Sequence, residues 1–161
     1  MDASPPGVVK INVDVALSME GWVGLGAIAR DCRGQILFSA VRRVRARWEP
    51  IVAKSKAVWF GVKKATDHGF RDVILETDSL LLASKLKRKS FSLAVVDSIL
   101  EDIISASSIL SSIFWSHVKR DGNYMAHHLA RIVSYGSEQL WEYLVPNEIS
   151  PYVLMDNLSI N

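Results

Sequence analysis

Polar and apolar positions alternate along residues 8–17, strictly so from Val9 to Val15. Ile11, Val13 and Val15 share one strand face, and Lys10, Asn12 and Asp14 share the other. A second strand-like run, residues 22–30, follows the turn around Gly21. A third, residues 35–44, follows a turn at Asp31 to Gly34, with Arg33-Gly34 as the hairpin tip. The period then changes. Over residues 50–68, Lys54, Val58, Gly61 and Ala65 fall on one helical face, and Gly69 is a helix stop. Residues 72–77 form a short, mostly apolar strand of the kind a parallel sheet buries. Asp78 or Ser79 caps the helix that follows. Val96, Ile99, Leu100, Ile103 and Ile104 mark another helix. Residues 111–118 read as a strand. A last helix runs from Gly122 to about Val133, with Ala126, Leu129, Ala130 and Val133 inward.

The order β-β-β-α-β-α-α-β-α implies an α/β domain with a five-stranded mixed sheet: three antiparallel strands, then two parallel additions, flanked by helices. Residues 1–7 read as an irregular lead-in and 8–133 as the domain. Residues 134–161 read as a tail with one short helix around Ser137–Leu144.

The chain has 161 residues, 49% of them hydrophobic and 22% charged, which is ample for a single packed domain. Its one cysteine, Cys32, excludes an internal disulfide and Cys-rich zinc sites. No apolar run approaches the roughly 18 residues of a membrane span, and the first residues lack a signal segment. The expectation is an intracellular monomer, in nucleus or cytoplasm, with no membrane partner. A net charge of +2 permits a polyanionic partner without demanding one.

Asp14 stands mid-strand, where carboxylates are unusual. It belongs either to a solvated outer face with Lys10 and Asn12 or to a site. Asp78 ends the fourth strand, where helix capping is the plainer role. Asn123 and His127 are four apart and share a helix face. His117 lies near the end of the last strand. Two acids converging at neighbouring strand ends suit a metal cradle for phosphoryl chemistry.

These segments resemble the ribonuclease H-type domain of plant reverse-transcriptase-like proteins. The likeness is carried by residues 5–16, 24–37, 57–70, 72–82 and 117–131, with the patterns INVD, ETDS and R-x-x-N-x-x-A-x-x-LA in order. It implies the ribonuclease H-like fold and hydrolysis of the RNA strand of RNA–DNA hybrids by two divalent metals, Mg²⁺ or Mn²⁺, held by four acids. Asp14 and Asp78 correspond to the first and third acids. The second should be a Glu in an Ala-Glu pair, and this chain has Ala53-Lys54. The fourth should be an acid four residues after Asn123, and this chain has His127. His117 matches the family's mobile catalytic histidine. Val15 stands where the family carries a glycine. Imidazole ligates Mn²⁺ but binds Mg²⁺ poorly. Lys for Glu changes the local charge by two units and removes a ligand. The expected catalytic set is therefore Asp14, Asp78, His117, His127 and Lys54, and the metal set Asp14, Asp78 and His127. Metal binding and cutting should be weakened or lost, with Lys54 pairing to Asp14 and Asp78 in place of a metal. Glu76, two residues from Asp78, is a weaker substitute ligand.

Two basic clusters add candidates. Lys85, Lys87, Arg88 and Lys89, beside Phe91, either bind nucleic acid together with Asn123 or form a solvated helix end. Arg43, Arg45 and Arg47 either contact phosphates or blunt an edge strand. The expected partner is RNA–DNA hybrid or RNA. A non-catalytic interaction or structural remnant is the other reading. Trp22, Trp48 or Trp141 at the surface would favour it, although packing is the commoner role of aromatic side chains.

Overall fold

A computed structural model describes residues 4–89, 91, 95–132 and 138–153. The strands are β1 (Val8–Leu17), β2 (Trp22–Arg30), β3 (Ile36–Arg45), β4 (Asp72–Thr77), β5 (Ser112–His117) and β6 (Glu138–Glu142). The helices are α1 (Pro50–Asp67), α2 (Leu80–Arg88), α3 (Val95–Ser107) and α4 (Tyr124–Ala130). A single 3₁₀ turn, Arg120–Gly122, leads into α4. The sheet order is β5-β4-β1-β2-β3-β6, with β1-β2, β2-β3 and β3-β6 antiparallel and β1-β4 and β4-β5 parallel.

Helices cover both faces of this sheet. α1 lies across Ile11, Val13 and Leu75, and Gly61 sets its distance: a Cβ there would stand 2.6 Å from Val13 Cγ1. α3 packs beside α1, and Ile99, Leu100 and Ile103 join the main core. On the opposite face, α4 sits on Gly24 and Gly26. A Cβ on Gly24 would be 2.0 Å from the Ala130 carbonyl oxygen, and one on Gly26 would be 2.8 Å from that of Ala126. Backbone thus meets backbone where β2 carries no side chain.

The structure adds to the sequence reading in three places, the first of them a correction. The sheet has six strands, because Glu138–Glu142 is β6 rather than a helix. It pairs with Phe38–Arg42 of β3 and is held by Lys64 to Glu138 and by His68 Nε2, 2.9 Å from Glu142 Oε1. Consequently β3 is covered by β6 from Phe38 to Arg42. Second, the tail packs back on the domain: Ile149 is buried with Ile28, Met125, Ala126 and Leu129, and Trp141 and Val153 pack against them. Third, the face carrying Lys10, Asn12 and Asp14 is buried rather than solvated, because α4 covers it. Helix α4 closes at Ala130, and Val133 lies outside the described residues. Ser79, rather than Asp78, caps α2, its Oγ accepting from the Leu82 N–H at 3.3 Å.

Candidate functional site

Parallel pairing of β1 with β4 brings Asp14 and Asp78 to the same end of the sheet. α1 begins beside them, so its second turn presents Lys54. The glycine seat under α4 brings His127 against Asp14. These four side chains, with Arg120 and Arg131, line one cleft of about 410 Å³.

The contacts are specific. Lys54 Nζ lies 3.2 Å from Asp78 Oδ1. His127 Nδ1 lies 3.2 Å from Asp14 Oδ2, and with its proton on Nδ1 the ring donates to that carboxylate. Asp14 Oδ1 accepts from the Val15 N–H at 2.8 Å. Burial pushes the Asp14 carboxyl above its usual range, and the Asp78 charge adds to this. The Val15 N–H, His127 and Lys54 oppose the shift. Two carboxylates therefore share the cleft with three permanent cations, Lys54, Arg120 and Arg131.

This donor set does not fit a pair of divalent cations. Asp78 already faces an ammonium, and Asp14 already faces an imidazole. Among the described residues, no group of three or more His, Cys, Asp or Glu side chains is arranged to hold a metal ion. Glu76 does not supply a missing ligand. It is buried in register with Asn12, with Oε1 3.8 Å from Lys10 Nζ and the Arg30 charge close by, and it does not line the cleft.

Other expected residues fall elsewhere. His117 is exposed at the end of β5, in register with Thr77, and does not line the cleft. Asn123, expected among the nucleic-acid contacts, is 1% exposed. Its amide donates to the Val13 carbonyl at 2.9 Å and accepts from Asn12 Nδ2 at 3.0 Å. Asn12 Oδ1 in turn accepts from Arg30 Nη2 at 3.0 Å. This buried chain fixes the start of α4, and hence His127, on β1. Lys85 is likewise committed internally, its Nζ 2.9 Å from the fully buried Asp97. Lys87, Arg88 and Lys89 remain exposed at the end of α2, while Phe91 packs against the core. Arg43 stacks 4.0 Å over Trp22; Arg45 and Arg47 are exposed. Trp48 and Trp141 are half-buried packing residues.

Sequence reasoning missed Asn12, Gly24, Gly26, Arg120 and Arg131. A signal existed for the glycines, because residues two apart on a strand share a face. Arg120 opened the motif that ends in Leu129-Ala130, yet it was given no role. Nothing local marked Asn12 as the partner of a residue more than a hundred positions away.

Fold and site together define a ribonuclease H-like domain. Residues 12–133 match the reverse transcriptase-like family, and the chain belongs to it. Three solved structures share the fold. Ribonuclease H1 from the halophilic archaeon Halobacterium salinarum is 21% identical with a TM-score of 0.69, covering 76% of this chain and 93% of that one. The N-terminal ribonuclease H domain of a Mycobacterium tuberculosis protein is 20% identical with a TM-score of 0.67, covering 76% and 89%. LC11 ribonuclease H1, solved in complex with an RNA/DNA hybrid, is 16% identical with a TM-score of 0.64, covering 76% and 91%. Among curated protein sequences no match to the chain is found.

Proposed function

We propose that this chain is a ribonuclease H-type domain that recognises RNA–DNA hybrid or RNA, and that the family's hydrolysis of the RNA strand is weakened or lost in it. The observation that carries this reading is the Lys54–Asp78 ion pair at 3.2 Å, formed where the resemblance calls for a second metal-binding acid. An ammonium about 4 Å from a divalent ion opposes its binding by about 8 kcal/mol at an effective dielectric near 20, taken as an upper bound. Lys54 is partly exposed and relieves some of this by swinging outward. It still leaves one carboxylate fewer than the reaction uses, and His127 in place of the fourth acid suits Mn²⁺ better than Mg²⁺.

The test is cleavage of a labelled RNA–DNA hybrid in Mg²⁺ and in Mn²⁺ by the natural chain, Lys54→Glu and Lys54→Glu/His127→Asp. The natural chain is expected to be silent or slow and the double variant to cut. Cutting by the natural chain at the rate of the double variant would overturn the charge argument.

A second reading, a non-catalytic interaction or structural module, is favoured by one observation. β5 is an edge strand with Phe114 65% exposed. Failure to bind hybrid under any metal condition would select it.

A further inference from the structure

We infer that the cleft is a direct phosphate site, which holds a nucleic-acid phosphodiester through Lys54, Arg120 and Arg131 with no divalent cation between protein and phosphate. The inference rests on the nucleic-acid reading above and deepens it. Three separate elements deliver the cations: Lys54 comes from α1, Arg120 from the 3₁₀ turn and Arg131 from the end of α4. Both arginines are exposed at the cleft, with their guanidinium groups able to take phosphate oxygens bidentately.

The carboxylates cancel only part of this field, because two of them face three cationic side chains in the cleft. Asp78 faces Lys54, and Asp14 faces the Val15 N–H and His127. What the cleft offers to solvent is therefore the arginine pair and the remaining hydrogen-bonding capacity of the Lys54 ammonium. Pro50, in the first turn of the eighteen-residue α1, lines the same cleft, so the positive end of that helix dipole reinforces the side chains. In a two-metal site the ions supply the positive charge that meets the substrate phosphate. Here side chains supply it, and the same charges keep metal out.

The experiment measures anisotropy of a fluorescent RNA–DNA hybrid with the full chain, in EDTA and in Mg²⁺ at matched ionic strength, across a salt series. The natural chain is compared with Lys54→Met, Lys54→Arg and Arg120→Gln, each checked for folding by its urea midpoint. The natural chain is expected to bind equally in EDTA and Mg²⁺. Lys54→Met and Arg120→Gln should each bind about tenfold more weakly at 0.1 M salt. Each should also lower the slope of log affinity against log salt by about one, while Lys54→Arg retains binding. Binding that requires Mg²⁺, or that is unchanged in Lys54→Met and Arg120→Gln, overturns the inference. Cleavage by the natural chain that accompanies metal-free binding sinks the proposed loss of hydrolysis and leaves the phosphate site standing. Should the hybrid not bind, inorganic phosphate is the second probe, followed by the NMR resonances of the His127 ring. Shifts present in the natural chain and absent in Lys54→Met support the phosphate site and reject the hybrid. Absence of both responses rejects the site itself.

Discussion

The position of His127 depends on two absent side chains, and Gly24→Ala tests that dependence. An added Cβ would lie 2.0 Å from the Ala130 carbonyl oxygen and 3.1 Å from its carbonyl carbon. Both are backbone atoms near the end of α4, so no rotamer change relieves the clash. Ordinary van der Waals separation requires α4 to retreat by about 1 Å. α4 also carries Met125, Ala126 and Leu129 into the second core, against Ile28 and Ile149. Retreat therefore loosens that packing as well as the Asn123–Val13 bond. Overpacking of this kind costs about 1–3 kcal/mol, and the rigidity of the backbone partner places Gly24→Ala at the upper end. Urea denaturation with a shared m-value gives the difference directly. A shift of the His127 ring resonances reports its withdrawal from Asp14. Stability within about 0.5 kcal/mol of the natural chain, the usual range for surface substitutions, would show that α4 does not rest on the glycines.

Two further outcomes follow from the buried charges. Asp14→Asn should stabilise the fold at neutral pH. The folded state holds the Asp14 carboxyl above the usual carboxylate range, so stability falls as pH rises from that range through the raised value. Urea midpoints from pH 3.5 to 8 should show the fall in the natural chain and a flatter profile in the variant. Glu76→Gln removes a carboxylate from beside two buried cations, Lys10 and Arg30, and burial already holds the Arg30 guanidinium down to about 10. Losing one member of a buried charge cluster costs about 3–5 kcal/mol, and the 3.8 Å separation from Lys10 places this case at the low end; a urea midpoint equal to that of the natural chain would contradict it.

Much of the fold was legible because local pattern and tertiary demand agree. The alternation of β1, the Gly69 stop and the capped start of α2 each state one structure at the level of single residues. β6 was not legible, because its apolar residues mislead. Leu140 and Leu144 stand four apart and suggest a helix, yet both are exposed, while Gln139 and Trp141 are the half-buried positions. The strand forms because β3 offers unpaired backbone to it, and that is a long-range fact. The same limit applied to the site. Asp14, Lys54, Asp78 and His127 were read from motif positions, and the structure brings all four to one cleft. Asn123 was named as a nucleic-acid candidate, because spacing alone put it on the helix face of His127. Only the partner strand reveals that its amide is consumed at Asn12 and Val13.

The pairing inside the cleft also bears on why the domain holds its shape with altered site residues. Two carboxylates that share a cleft repel, and each unit of charge at about 4 Å costs about 4 kcal/mol at an effective dielectric near 20. A metal-binding site leaves that repulsion to be relieved by the metal. In this chain Lys54 stands against Asp78 and His127 against Asp14, while burial still holds the Asp14 carboxyl above its usual range. Lys54 thus offsets the Asp78 charge from within the folded protein. Once an ammonium has settled on Asp78, reversal to an acid is costly without a second change. A lone Lys54→Glu would set three carboxylates around the cleft, with His127 as the nearest imidazole and the arginines at its mouth. The charge pattern therefore joins two features of one cleft: each carboxylate has a partner from within the protein, and Arg120 and Arg131 stand exposed beside them.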